Sequence, residues 1–402
     1  MRILESREIW DLDSIANADG ALPEGPPPGG EIHPDLIRYK GYWYCGLKEG
    51  PHGVRDYPSR ARVIRSADGE KWESVRRVEW AGGHVSDLKF SVTGDGLLMM
   101  NTIVSDMAFG AQDEPPARPD RPETGRIRRM SVTWLTEDGV RWGGVHACPT
   151  GFSTVRYVVA WHRGMCYSVG YGLKDERGTL YRTADGRTWH TLATNIYDSW
   201  HCPEVRVEDM PPDDQRLRHA VQQGNVRRVG VDANDITQAA DRGGFAPKPP
   251  SEAALEFLPD GTAVAVARAH PVFAILGTAK PPYYEEWTWR AMQVDWNRDG
   301  NLRPAGELLG VQMGGPMLRW LSDGRLIAAS RADASTETKG IGRLTLYLVD
   351  VQNAVLERLA SFDGYSHYPG VVEHEGKLWI SCGKQQRADL FGAYLLQTEL
   401  PD

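Results

Sequence analysis

Six positions of this 402-residue chain stand eight or nine residues ahead of a turn glycine, and most carry groups that exchange protons or bind charge. They are His33 ahead of Gly41, Asp87 ahead of Gly96, Arg156 ahead of Gly164, Glu252 ahead of Gly261, the Gly315-Pro316 step ahead of Gly324, and Tyr368 ahead of Gly376. Hairpins buried in a core do not normally begin with such residues. A phenol beside a carboxylate can surrender its proton as its oxygen attacks carbon, which divides one difficult substitution into two easier ones. A guanidinium binds a carboxylate bidentately, and an imidazole exchanges protons near neutral pH. Gathered around one hollow, these groups suit acid–base or nucleophilic chemistry on a polar molecule.

The elements that must gather them are six versions of one segment. Each runs a few extended, mostly apolar residues into a tight turn and back through a second apolar strand. The copies recur about every 50 to 70 residues, with one longer interval. That pattern predicts an all-β fold, a six-bladed β-propeller of four-stranded antiparallel blades whose innermost strands start at a central tunnel. The 14 Trp, 15 Tyr and 43 Gly agree, since wide aromatics fill the space between twisted sheets and Asp-Gly pairs supply positive φ in hairpin turns. Blades are expected over residues 30–80, 84–148, 152–195, 250–296, 312–361 and 365–398, within a single domain spanning 1–402. Residues 1–12 remain to add an outer strand to the last blade and remove an exposed edge.

A second repeat reads Ser66-Ala67-Asp68-Gly69-Glu70-Lys71-Trp72, with counterparts from Thr136 to Trp142 and from Thr183 to Trp189. Its Ser/Thr and Asp side chains accept from turn amides while the Gly takes positive φ, so it is read as an architectural turn on the outside of a blade. Three segments interrupt the pattern: a Pro/Gly-rich connector at 23–31, a Pro-rich charged loop at 112–126, and a long insertion at 198–250. The insertion carries two short helical patterns, from Asp213 to Gly224 and from Asp235 to Ala240. Its length marks it as a lid over the tunnel or as a docking surface for a second subunit.

Bulk composition excludes several classes. A net charge of −8 with no basic tract argues against a nucleic-acid partner. The five cysteines, Cys45, Cys148, Cys166, Cys202 and Cys382, show no close pairs, so they read as buried thiols rather than disulfides or a zinc site. Scattered histidines and the lack of a Gly-rich phosphate loop leave no expected metal or cofactor. No stretch is apolar enough for a membrane span or a leader peptide. A cytoplasmic location is therefore expected, or secretion where a native leader has been removed.

The Asp-Gly turns resemble a one-residue-shorter form of the Asp-box of sialidases, and the six-hairpin ring is similar to the sialidase propeller. Glu252, an apolar strand, Asp260-Gly261 and Arg268 sixteen positions after the Glu resemble the corresponding sialidase strand pair. Gly342-Arg343-Leu344-Thr345-Leu346 resembles a strand bearing another arginine of the carboxylate-binding triad. Ser366-His367-Tyr368-Pro369-Gly370 resembles the segment holding the catalytic tyrosine. The resemblance implies a glycoside hydrolase with Tyr368 as nucleophile and Glu252 as its base, the known exception to a pair of carboxylates. It further implies Arg268 and Arg343 as ligands of a substrate carboxylate; His33, Asp87 and Arg156 line the same hollow by hairpin register, and His367 joins its histidine-rich rim. Two departures stand out. The first triad arginine is missing, with His33 near its place in Ile32-His33-Pro34, and the loop from Glu49 to Asp56 offers His52 or Asp56 as the acid, neither at the position of the sialidase aspartate.

Three readings follow. The first is an exo-glycoside hydrolase acting on a terminal sugar of a small molecule or oligosaccharide, acidic or neutral. The second is a lyase on the same scaffold, in which Tyr or His moves a proton and Arg neutralises a uronate. The third is a non-catalytic propeller that binds carbohydrate or protein.

Overall fold

Gly41, Gly96, Gly164, Gly261, Gly324 and Gly376 all adopt positive φ, between +71° and +92°. A side chain would be strained there, and glycine reverses the chain without that cost. Each turn therefore returns an inner strand into its neighbour. The computed structural model describes residues 1–20, 32–50, 59–80, 83–106, 129–148, 154–172, 177–201, 205–206, 228–229, 250–269, 273–295, 298–300, 302–304, 313–332, 343–387 and 390–401.

The fold is an all-β, six-bladed propeller of four-stranded antiparallel blades, each built outward from an inner strand. Blade one comprises Asp35–Tyr39, Tyr42–Glu49, Arg60–Ser66 and Glu73–Val78. Blade two comprises Gly83–Val92, Leu98–Asp106, Arg129–Thr136 and the short His146–Ala147. Blade three comprises Thr154–His162, Met165–Gly172, Thr179–Thr183 and His190–Thr194. Blade four comprises Ala253–Phe257, Ala263–Ala269, Phe273–Ala279 and Trp287–Ala291. Blade five comprises Gly314–Trp320, Leu326–Ala332, Arg343–Asp350 and Val355–Phe362. Blade six takes Tyr365–His374, Lys377–Arg387 and Leu390–Glu399 from the C-terminal end, and its outer strand is Ile3–Trp10, antiparallel to Leu390–Glu399.

One boundary differs from the sequence reading. Gln293–Asp295, assigned there to blade four, pairs in parallel with Val355–Glu357 of blade five and in hairpin fashion with Leu302–Pro304. The short helix Leu12–Asp19 is also new: Asp11 caps it by accepting from the Ser14 amide at 2.7 Å, and Gly20 ends it in the left-handed conformation. Of the 198–250 insertion, Val205–Arg206 pairs in parallel with Arg228–Val229. Its two helical patterns, and the 23–31 and 112–126 stretches, lie outside the described residues. No helix among the described residues is long and apolar enough to cross a membrane.

The core is a set of blade-to-blade interfaces. Because successive strand residues face opposite sides, Ala253, Leu255 and Phe257 pack with Ala160, Tyr167 and Val169 of blade three. Ala254, between them, packs with Leu318 and Ala328 of blade five. The Asp-Gly turns add stitches between blades. Asp68 Oδ1 accepts from the Glu70 and Lys71 amides at 2.7 and 3.0 Å, and Ser66 Oγ accepts from Gly69 N at 2.8 Å. Gly69 then meets Trp379 of blade six, Gly139 meets Tyr44 of blade one, and Gly186 meets Met99 of blade two. Each turn thus seats on the preceding blade instead of facing solvent alone.

Candidate functional site

Four inner strands break their ladder near the hub: between Ser86 and Lys89, Arg156 and Val159, Gly314 and Met317, and Ser366 and Gly370. Such bulges free one or two residues from alternation and re-aim their side chains. Asp87, Val158, Gly315-Pro316 and Tyr368 fall inside them. In blades one and four, His33 and Glu252 stand just ahead of the paired strands. Two of these residues hold the left-handed backbone without being glycine, His33 at φ +40° and Asp87 at φ +47°. Such conformations cost about 1–3 kcal/mol each and persist where surrounding contacts enforce them.

Two side-chain pairs meet at the hub. Tyr368 Oη donates to Glu252 Oε1 at 2.6 Å, and Arg268 Nη1 donates to Glu252 Oε2 at 3.0 Å, so both carboxylate oxygens are engaged. His33 Nδ1 pairs with Asp87 Oδ1. The pairs touch, because the His33 ring stacks on Tyr368 with centroids 4.2 Å apart and an interplanar angle of 11°. The Arg331 guanidinium lies over the Tyr368 ring at 5.3 Å from its centroid. Tyr368 is 5% exposed and Glu252 9%.

Electrostatics sort the roles. Burial would raise the Glu252 carboxyl, but Arg268, the Tyr368 hydroxyl and Arg331 together outweigh it and hold Glu252 below the usual range. Burial likewise opposes ionisation of Asp87, yet His33 in contact, with Lys48 and Lys89 further off, holds it at about 2. Burial first and the Glu252 charge second push the Tyr368 hydroxyl well above its ordinary value, against the pull of Arg331 and Arg268. The resting site therefore pairs ionised carboxylates with a neutral phenol.

Arg156 is a correction. Read by register it lines the hub, but it is the last paired residue before the bulge of blade three. Its guanidinium lies 3.7 Å from the Trp189 ring centroid, 1% exposed, beside Cys148 and Cys166 between blades two and three. The bulge gives the hub Val158, which packs on Tyr368 together with Tyr171. Arg343, expected beside the substrate carboxylate, places its Nε 2.9 Å from Asp363 Oδ1, and it is Arg331 that lies over Tyr368. His367 has its backbone in the inner strand of blade six, and its side chain lies outside the described residues, as do His52 and Asp56.

Arg331 carried a legible signal. Arg268 and Arg331 each stand seven positions after their turn glycine, as do Lys48 and Tyr171 in blades one and three. Second strands return to the hub at that register, and these four residues all act on the hub groups. Among the described residues, no cluster of three or more His, Cys, Asp or Glu side chains is placed to hold a metal ion.

No family model and no curated protein matches the sequence. Among solved structures the chain is similar to a Dyadobacter fermentans protein of unknown function, with a TM-score of 0.63 at 14% identity over 99% of this chain and 98% of that one. It is similar to a Penicillium chrysogenum alpha-L-arabinanase complexed with arabinobiose, with a TM-score of 0.55 at 11% identity over 100% and 99%. It is also similar to the intramolecular trans-sialidase of Ruminococcus gnavus in complex with oseltamivir carboxylate, with a TM-score of 0.54 at 11% identity over 98% of each chain. At these identities the likeness is one of fold, the six-bladed propeller of sialidases and an arabinanase.

Proposed function

We propose that the chain is an exo-glycoside hydrolase that removes a terminal sugar by way of a Tyr368–Glu252 pair. The observation that carries this reading is the 2.6 Å hydrogen bond from Tyr368 Oη to a carboxylate held ionised by Arg268. Tyr368 attacks the anomeric carbon while Glu252 receives the phenol proton, and water then releases the sugar from the enzyme. Arg268 and Arg331 supply positive charge for an acidic group on that sugar. Glycoside hydrolases among the propellers of like fold support the reading.

The test is turnover of 4-methylumbelliferyl glycosides of sialic acid, uronic acids and neutral hexoses and pentoses. Tyr368→Phe and Glu252→Gln should each lower turnover about 10²–10⁴-fold with unchanged circular dichroism. Wild-type rates in both variants remove the mechanism. The stack of His33 on Tyr368 beside arginines favours a second reading, proton abstraction next to a uronate carboxylate. An unsaturated product absorbing in the near ultraviolet would identify that elimination.

A further inference from the structure

We infer that His33, oriented by Asp87, is the proton donor to the departing group, and this rests on the hydrolase reading above. In the first step Tyr368 Oη bonds to the anomeric carbon and its proton passes to Glu252. The bond from that carbon to the leaving oxygen breaks, its electron pair stays on the oxygen, and the oxygen takes the His33 Nε2 proton. In the second step water bonds to the anomeric carbon and gives a proton to His33 Nε2. The pair of the Tyr368–carbon bond returns to Oη, which recovers its proton from Glu252.

The geometry is that of an oriented acid. Asp87 occupies Nδ1 and thereby makes Nε2 the exchanging atom of the ring. The ring lies flat against that of the proposed nucleophile, with centroids 4.2 Å apart. Both members of the pair are held in left-handed backbone, as expected where a site, not the sheet, dictates conformation. The charges acting on Asp87 are Lys48 from blade one and Lys89 from its own strand, the latter 3.8 Å from Asp35, while Arg331 from blade five and Glu252 with Arg268 from blade four act on Tyr368, on which His33 stacks. An ionised Asp87 stabilises the imidazolium that the donor must be before transfer.

The experiment uses the full chain and the sugar that the glycoside panel identifies, carried on phenyl and on 2,4-dinitrophenyl leaving groups. His33→Gln should lower kcat/KM on the phenyl glycoside about 10²–10⁴-fold. It should leave the 2,4-dinitrophenyl glycoside, which departs unprotonated, within about tenfold of wild type, and the basic limb of the pH–rate profile should vanish. In 15N-histidine-labelled protein, the Nδ1 proton signal missing from His33→Gln should be strongly deshielded in wild type and move upfield in Asp87→Asn. Equal losses on the two leaving groups reduce His33 to a support for the Tyr368 ring and overturn the proposal. So does leaving-group selectivity appearing in His52→Gln or Asp56→Asn instead. Tyr368→Phe at wild-type rate sinks the nucleophile alone, whereas inactivity on every glycoside sinks both readings.

Discussion

Gly315 decides where the Tyr368 ring can sit. It holds φ +56°, and a Cβ built there would overlap the Tyr368 Cγ and Cδ1 atoms. The hydrogen bond to Glu252 and the stack on His33 both depend on that ring position. Gly315→Ala should therefore cost about 1–3 kcal/mol of stability by overpacking. Its effect on turnover should be larger than its effect on folding. Chemical denaturation and glycoside kinetics on one preparation separate the two, and unchanged turnover would show that the ring tolerates displacement. Glu252 makes the same point from the other side, since its charge is set by three partners from three strands.

At the scale of elements, the Asp-Gly turns are fasteners between sheets. Thr136 Oγ1 accepts from Gly139 N at 3.0 Å, and Asp138 Oδ1 accepts from the Val140 and Arg141 amides. The turn so fixed brings the Gly139 Cα against the Tyr44 ring, while Tyr39 Oη donates to Glu137 O at 2.7 Å. Gly139→Ala should force Tyr44 aside and part blades one and two, costing about 1–3 kcal/mol. Gly96→Ala is the control, because a Cβ there meets nothing within 4 Å and only its positive φ of +84° opposes the change. A melting temperature lowered more by the first variant than by the second bears this out; equal shifts would leave only the backbone effect. The same turns were legible in the sequence by composition and spacing. That they fasten neighbouring blades was not, because the residue each glycine meets belongs to another repeat.

At the scale of the whole molecule, the ring closes by joining chain ends. Ile3–Trp10 completes blade six, and Trp10 Nε1 then donates to Glu49 of blade one at 3.0 Å. Glu49 also receives Arg60 and Arg62, and both arginines reach Asp19 at the end of the helix at 2.8 Å. Arg62 is 1% exposed, so its charge is affordable only with these carboxylates in place. Glu49→Ala should destabilise the protein by about 3–5 kcal/mol by leaving Arg62 undercompensated. Urea denaturation measures this, and a loss below 1 kcal/mol would mean that Asp19 alone suffices. The effect should come with no change in leaving-group selectivity, which separates closure of the ring from chemistry at its hub.

The sequence alone determined the repeat, and with it the six blades, the turn glycines and the hub positions of His33, Asp87, Glu252 and Tyr368. A hairpin is a local object, and its turn chemistry and apolar alternation are written in contiguous residues. The spacing of Glu252 and Arg268 is legible for the same reason, both lying in a single hairpin, but the sequence assigns Arg268 to a substrate carboxylate, and its bond to Glu252 is decided by the fold. Only the tertiary structure decided that Arg156 turns from the hub onto Trp189, that Arg331 lies over Tyr368, and that His33 binds Asp87 while stacking on the tyrosine. Bulges shift register by a residue without changing composition, and contacts at a propeller hub join strands from different blades. Their partners are fixed by closing the ring, a condition no single repeat contains.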